Sequence, residues 1–211
     1  MTQAEETSFW KSRTFTAFLI AAGIFLAAGL AWFAWYEFQP YAFHGMVLQS
    51  PVKAVNFTLD GSNGQKVSLS DYQNNLVLLY FGYTTCPDVC PTTLAELHKA
   101  RELLGSRKDQ VQVMMVTVDP ERDTLKVLSD YISHFDSSFL ALTGTADEIA
   151  AVATYYGIFF EKKASDSALG YLVDHTATVM VIDKKGYLRV VFPFGATSSD
   201  MAADLEYLLS R

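Results

Sequence analysis

Cysteine is scarce in this chain: there are two, Cys86 and Cys90, in 211 residues. A bridge between residues four apart closes a tiny loop and stabilises little, so the pair is not a structural staple. Charge is scarce as well, at 18% of residues, and the shortage is local. No Asp, Glu, Lys or Arg stands in residues 14–36, and positive charge is then missing until Lys53. Residues 38–211 carry 14 Lys and Arg against 20 Asp and Glu, a net charge of −6. That surplus of acid argues against nucleic acid or an anionic membrane surface as partner. No internal repeat and no low-complexity tract occurs, and the length suits one domain with an appendage.

As a helix, residues 14–36 span about 34 Å, slightly more than the hydrocarbon core of a bilayer. Trp10 precedes the run and Trp32, Trp35 and Tyr36 close it, as interfacial aromatics do. A buried core helix rarely stays uncharged this long. A cleaved signal peptide is the rival reading, with Gly29 and Ala31 as a small-x-small site. The run is longer than a signal h-region, and an uncleaved anchor is the reading adopted. Lys11 and Arg13 before the helix put the N-terminus in the cytoplasm by the positive-inside rule. Glu5 and Glu6 argue against a mitochondrial transit peptide. The expected organisation is a cytoplasmic tail (1–13), a transmembrane helix (14–36), a linker (37–53) and a domain (54–211) in the periplasm, tethered by one pass to a bacterial inner membrane. In that oxidising space a dithiol needs a reductant or a bound metal to stay reduced.

The cysteines sit between a strand and a helix. Leu76 to Phe81 is a continuous apolar run, as in a strand buried on both faces. Gly82, Thr84 and Thr85 end it, Pro91 suits a first helical turn, and Thr92 to Leu104 carries Leu94, Leu97, Ala100 and Leu104 on one face. Both sulfurs would lie over a helix N-terminus, where the dipole favours thiolate. Prolines, an aspartate and threonines surround them, which does not suit inert core cysteines. A functional dithiol, redox-active or metal-binding, is the reading that explains the setting.

The rest of the chain alternates. Asn56 to Asp60 and Gln65 to Leu69 flank Gly61-Ser62-Asn63-Gly64, a hairpin signal. Val111 to Val118 is a second apolar strand, with Met114 and Met115 as core. Asp123 or Thr124 caps a helix over Leu125 to Phe135. Phe139 to Leu142 is a short strand, and Thr145 with Glu148 forms a capping box for a helix to Tyr156. Thr176 to Ile182 and Tyr187 to Phe192 form an antiparallel hairpin, and Ser198 to Leu209 closes the chain as a helix. His44 reads as a solvated linker residue and His98 as a surface one. The alternation means α/β with parallel pairing. A βαβ unit with a dithiol after its central strand, completed by a hairpin and helix, is the thioredoxin-like arrangement.

That topology brings His175 into view. Sites in such sheets gather beyond the carboxyl ends of the parallel strands, and a strand antiparallel to them starts at the same edge. His175 immediately precedes such a strand, far from Cys90 in sequence yet expected beside it. Two thiolates and an imidazole form a soft set that suits copper, and Cys2His with an open position also suits zinc. Asp174 faces the opposite side if the strand has begun, as a support of the loop.

Three stretches together carry a resemblance: Phe81 to Pro91 (FGYTTCPDVCP), Val118 to Thr124 (VDPERDT) and Val173 to Thr176 (VDHT), the last followed by Val181 to Gly186 (VIDKKG). Over nearly all of residues 37–211 the chain resembles the Sco/SenC family of copper-binding proteins, which help assemble the copper site of cytochrome c oxidase. The resemblance implies a thioredoxin-like fold with an N-terminal anchor, and Cys86, Cys90 and His175 as ligands of Cu(I) and Cu(II), zinc being the alternative metal. Asp88 and Asp174 would stand behind these ligands. The implied partners are the copper-bearing oxidase subunit, another copper chaperone and a thioredoxin-like reductant. Many bacterial relatives are lipoproteins, but no cysteine here is placed to carry lipid, so the helix is expected to anchor. The rival function is a thiol–disulfide reductase that keeps the oxidase subunit's cysteines reduced, using Cys86 and Cys90 as a redox-active disulfide. Two departures from thioredoxins weaken it: three residues rather than two separate the cysteines, and Thr176-Ala177 stands where those oxidoreductases have a cis-proline.

Overall fold

The structure, a computed structural model, describes residues 3–165 and 170–211. Met1, Thr2 and the side chains of Glu5, Glu6, Trp10 and Lys11, on which part of the anchor reading rests, lie outside the described residues. The chain divides into two units, residues 1–42 and 43–211.

The first unit is helix α1 (Gln3–Glu37). Its segment Arg13–Tyr36 has a mean hydropathy of 2.2 and is long and apolar enough to cross a membrane. Phe18, Ile24, Phe25, Leu26 and Phe33 are exposed along it, so it is not a core helix. Trp32 and Trp35 hold their rings 5.6 Å apart near its end.

The second unit is built on an eight-stranded mixed sheet. Its strands are β1 (Met46–Lys53), β2 (Thr58–Gly61), β3 (Lys66–Ser68), β4 (Leu76–Gly82), β5 (Val111–Thr117), β6 (Leu140–Thr143), β9 (Val179–Ile182) and β10 (Tyr187–Phe192), in the order β1-β10-β9-β4-β5-β6-β2-β3. Two further strands, β7 (Phe160–Ala164) and β8 (Tyr171–His175), pair only with each other. The apolar run of β4 is buried along its whole length. It pairs in parallel with β5 and antiparallel with β9, and β5 pairs in parallel with β6, as alternation of apolar strands and helices dictates. The arrangement is thioredoxin-like.

Among the described residues four α-helices complete it: α2 (Val89–Leu103), α3 (Leu125–Ser133), α4 (Ala146–Tyr155) and α5 (Ser198–Leu209). Helices α2 and α5 pack together, and α3 packs on β6. The caps follow local chemistry. Thr124 accepts from the Val127 N–H at the start of α3, and Thr145 with Glu148 forms the reciprocal capping box of α4. Asp123, the other candidate cap, is taken up elsewhere, as described below.

The structure differs from the sequence reading in several places, three of them in the frame of the fold. Residues 46–53, read as linker, form the edge strand β1, paired antiparallel with β10 and with a shift of register between Val47 and Val52. A proline within a strand is tolerated at an edge, which is where Pro51 lies. His44 is not simply solvated. Its backbone N–H and that of Gly45 donate to the buried Asp204 carboxylate, and its Nδ1 lies 2.9 Å from the same group. That hydrogen bond raises the His44 pKa above its ordinary value. The stretch before the terminal hairpin is a strand of its own. His175 ends β8 rather than preceding a single strand, and β9 starts only at Val179.

Candidate metal centre

Helix α2 begins at Val89, three residues earlier than its apolar face suggested, with Asp88 at the N-cap. Cys90 therefore lies inside the first turn, and Pro91 follows it there. The Cys90 N–H, an orphan donor of that turn, points at Cys86 Sγ at 3.4 Å. The Asp88 carboxylate does not cap the helix but accepts from the Thr92 hydroxyl at 3.3 Å. Cys86 is half-buried and Cys90 fully buried, and both are free thiols.

The β7–β8 hairpin brings His175 to the same place. Its Nε2 lies 3.5 Å from Cys90 Sγ, and its Nδ1 lies 3.2 Å from the Thr176 carbonyl. A carbonyl can only accept, so Nδ1 carries the proton and Nε2 presents its lone pair to the sulfurs. Tyr80 and Tyr83 flank the ring edge-on, with centroids 6.2 and 5.8 Å away. The two Sγ atoms and a ring nitrogen of His175 all lie within 4.8 Å of one another. Cys86 and His175 open onto a pocket of about 230 Å³ whose walls also include Tyr83, Pro87, Asp88, Asp174 and Ala177, with Cys90 buried behind them. Asp174 is exposed, pairs in register with Glu161 of β7 and lines this pocket. Neither Asp88 nor Asp174 joins the three-donor group.

The electrostatics separate the two thiols. A hydrogen bond from Cys90 lowers the Cys86 pKa to about 4, against the cost of burial, and the backbone N–H groups of Cys90 and Asp88 add to the effect. The Cys86 sulfur beside it, and then burial, push the Cys90 thiol well up. One proton thus sits on Cys90, facing the Cys86 thiolate on one side and His175 Nε2 on the other. The set is two sulfurs and an imidazole nitrogen, already gathered, with one side open to solvent. Its chemistry fits a soft or borderline metal ion and needs only the Cys90 proton removed.

Residues not singled out by sequence reasoning hold this arrangement. Asp123 is fully buried and accepts from the Thr84 hydroxyl and N–H and the Thr117 hydroxyl, at 2.5, 3.1 and 2.5 Å. It ties the dithiol loop to the end of β5. Asp119 pairs with Arg122 and accepts from the Tyr171 hydroxyl at 2.8 Å. The Arg122 guanidinium stacks 3.7 Å from the Tyr171 ring centre and donates to the Tyr171 carbonyl. The Val173 N–H donates to the Tyr83 hydroxyl at 3.2 Å. These links fasten the His175 hairpin to the cysteine loop. The VDPERDT stretch was the available signal, but a loop rich in charge reads first as a solvated cap.

A second group, His98, Glu102 and Asp136, also gathers ligand atoms. His98 is half-buried against Asp136 rather than a plain surface residue. Arg101 and Lys108 already neutralise Asp136 and Glu102 at 2.6 and 2.7 Å, so this group is an ion-pair network.

Comparison with known proteins bears on the first group. The chain is 37% identical over 131 residues to an SCO2-like protein of Rickettsia prowazekii, covering 62% of this chain and 64% of that one. It spans 64–66% of the length of the rickettsial relatives it matches. Among solved structures, apo Sco1 of Thermus thermophilus is 42% identical with a TM-score of 0.72, covering 80% of this chain and 98% of that one. Copper-bound ScoI of Bradyrhizobium japonicum is 35% identical with a TM-score of 0.69, covering 75% and 100%. Residues 48–210, all of the sheet but the first two residues of β1 and every residue of the dithiol–histidine group, match the SCO1/SenC family model, and the chain belongs to that family.

Proposed function

We propose that this protein is a copper metallochaperone. Cys86, Cys90 and His175 hold copper as cargo, and the cargo passes to the copper centre of cytochrome c oxidase. The observation that carries the reading is the convergence of two sulfurs and the His175 Nε2 within 4.8 Å from two separate elements. A thiol–disulfide exchanger has no use for the third donor. The copper-bound structure of the Bradyrhizobium relative supports copper over zinc. In this reading residues 14–36 span a bacterial inner membrane, residues 1–13 stay in the cytoplasm and the domain works in the periplasm. The reductase reading keeps one observation in its favour, the depressed pKa of Cys86, which suits a nucleophile.

Reduced protein should take up about one Cu(I), in keeping with a single Cys2His set. Oxidation to the disulfide should abolish uptake, since ligation needs free thiolates. His175→Ala leaves two thiolates, enough for two-coordinate Cu(I), so Cu(I) affinity should fall only in part. Cu(II), which prefers nitrogen and oxygen donors, should suffer far more. The same variant should lose oxidase copper assembly while retaining disulfide reduction in vitro. Wild-type Cu(II) affinity together with normal oxidase assembly in His175→Ala would refute the ligand assignment and favour the reductase. A membrane-impermeant thiol reagent should label reduced Cys86 in intact spheroplasts, and labelling only after lysis would reverse the orientation.

A further inference from the structure

Tyr80 lies on β4 two residues before Gly82, so the two share a face of the strand. Its side chain is fully buried, and its hydroxyl has no hydrogen-bond partner. A buried phenol without a partner is a standing cost to the fold and asks for an explanation. Its surroundings supply one. Cys90, Thr93 and, more weakly, Cys86 are the polar groups that act on the phenol, and the Thr93 hydroxyl is already committed to the Val89 carbonyl at 2.8 Å. Cys90 Sγ and the hydroxyl-bearing Cζ of Tyr80 pack on the same spot of the strand. A Cβ added at Gly82 would lie 3.1 Å from the one and 3.3 Å from the other. The ring edge of Tyr80 also faces His175. The phenol thus sits behind the three-donor group, on the side away from solvent.

A neutral thiol is a weak acceptor, which accounts for an O–H left without a partner beside it. A metal-bound thiolate is a strong one. We propose that Tyr80 is a positioning residue that donates a hydrogen bond to the Cys90 thiolate once copper is bound, and so sets how strongly that sulfur donates to the metal. The proposal rests on the copper-site reading above. Loading with Cu(I) exchanges the Cys90 proton, released to water, for the metal ion, and no electron moves. The phenol keeps its own proton and gains an acceptor. A hydrogen bond on a ligand sulfur withdraws electron density from the metal bond, and bonding around the cysteine sulfur is a known lever on copper potentials. It favours the more electron-rich Cu(I) state over Cu(II).

The signature is therefore opposite to that of losing His175. Tyr80→Phe keeps the ring and removes only the hydroxyl. In the full chain, solubilised in detergent, it should weaken Cu(I) on the order of ten-fold, the scale of one charge-assisted hydrogen bond, and Cu(II) less. The sulfur-to-Cu(II) charge-transfer band should move to longer wavelength. The metal-free variant should melt at the wild-type temperature or above it, because an orphaned polar group has gone, and the rise in melting temperature on adding Cu(I) should be smaller than in wild type. Tyr131→Phe is the control, since its hydroxyl is also buried and unpartnered but feels the Cys90 and Cys86 sulfurs only through their charge, with no hydrogen bond to either, and it should leave the band in place. Wild-type copper uptake with a Tyr80→Phe protein of unchanged Cu(I) affinity and unmoved band would overturn the role of Tyr80 alone. Equal weakening of Cu(I) and Cu(II) with a lowered metal-free melting temperature would make Tyr80 a packing residue and overturn it too. Absence of copper uptake by wild-type protein would overturn the copper site itself, and the tyrosine's role with it.

Discussion

The reactivity of Cys86 tests the electrostatics of the site without any metal. Its pKa falls from an ordinary 9.0 to about 4, the hydrogen bond from Cys90 contributing most. At pH 6 an ordinary thiol is only about one part in a thousand thiolate, whereas Cys86 is nearly all thiolate, a gain on the order of a thousand-fold. Intrinsic nucleophilicity falls with pKa, with a Brønsted slope of about 0.4–0.5, which removes roughly a hundred- to three-hundred-fold over that interval. Raw speed at pH 6 should therefore exceed that of a free thiol by only about three- to ten-fold, and the shape of the pH profile is the sharper readout. Alkylation of reduced protein by iodoacetamide, resolved for each cysteine by peptide mass spectrometry, should give a Cys86 rate that is flat from about pH 5 to 8. It should fall about ten-fold per unit only below pH 4, where an ordinary thiol would rise ten-fold per unit throughout. Cys90, buried and held protonated, should lag at every pH. Cys90→Ala removes the largest cause of the shift and should move the Cys86 inflection upward. A wild-type inflection above pH 7, or one unmoved by Cys90→Ala, would refute the assignment of thiolate to Cys86.

Asp123→Ala should cost about 2–4 kcal/mol, because it leaves the Thr84 N–H and two hydroxyls without an acceptor in the interior. Urea unfolding measures it, and a loss under about 1 kcal/mol would mean that this tether does not hold the cysteine loop. His44→Ala should matter by pH. The pKa of His44 is raised by its hydrogen bond to Asp204, so its contribution is fully present below the unfolded value of about 6.5 and fades as pH rises past the raised one. Unfolding midpoints of wild type and His44→Ala should differ at pH 5.5 and converge at pH 9, and the reverse order would refute the clamp.

The elements that bury apolar surface on both sides were legible. Leu76 to Phe81 and Val111 to Val118 announce β4 and β5 by unbroken hydrophobicity, and Thr145 with Glu148 marks the start of α4 by spacing alone. The approach of His175 to the cysteines was legible too, although it comes from the end of β8 and not from the start of the strand beside β4. Strand β1 was hidden because Pro51, Gln49 and Ser50 look like a linker, and its pairing with β10 is a long-range contact that no local pattern encodes. Strand β7, Phe160-Glu161-Lys162-Lys163-Ala164, is largely exposed and has no core face to impose alternation. Asp123 read as a candidate helix cap and Asp204 carried no signal, since burial of a carboxylate is decided by donors brought from distant positions such as Thr84 and His44. Tyr80 was one more apolar residue in an apolar run, and its hydroxyl acquires meaning only beside Cys90.

The register shift in β1 bears on how copies of this protein behave when crowded. The sheet ends at β1 on one side and β3 on the other, and open edges are templates on which a second chain can add a strand. Strand β3 is three residues long and begins with Lys66, too short a ladder to recruit much. Strand β1 is longer, but Pro51 offers no N–H, the pairing slips between Val47 and Val52, and Lys53 ends it. Neither edge presents an unbroken row of donors and acceptors. Tethered to a membrane as proposed, the domain would meet its neighbours in two dimensions, at densities where edge-to-edge growth would seed polymers. The slipped, proline-bearing edge keeps those encounters unproductive, and a valine in place of Pro51 would turn it into a surface that invites them.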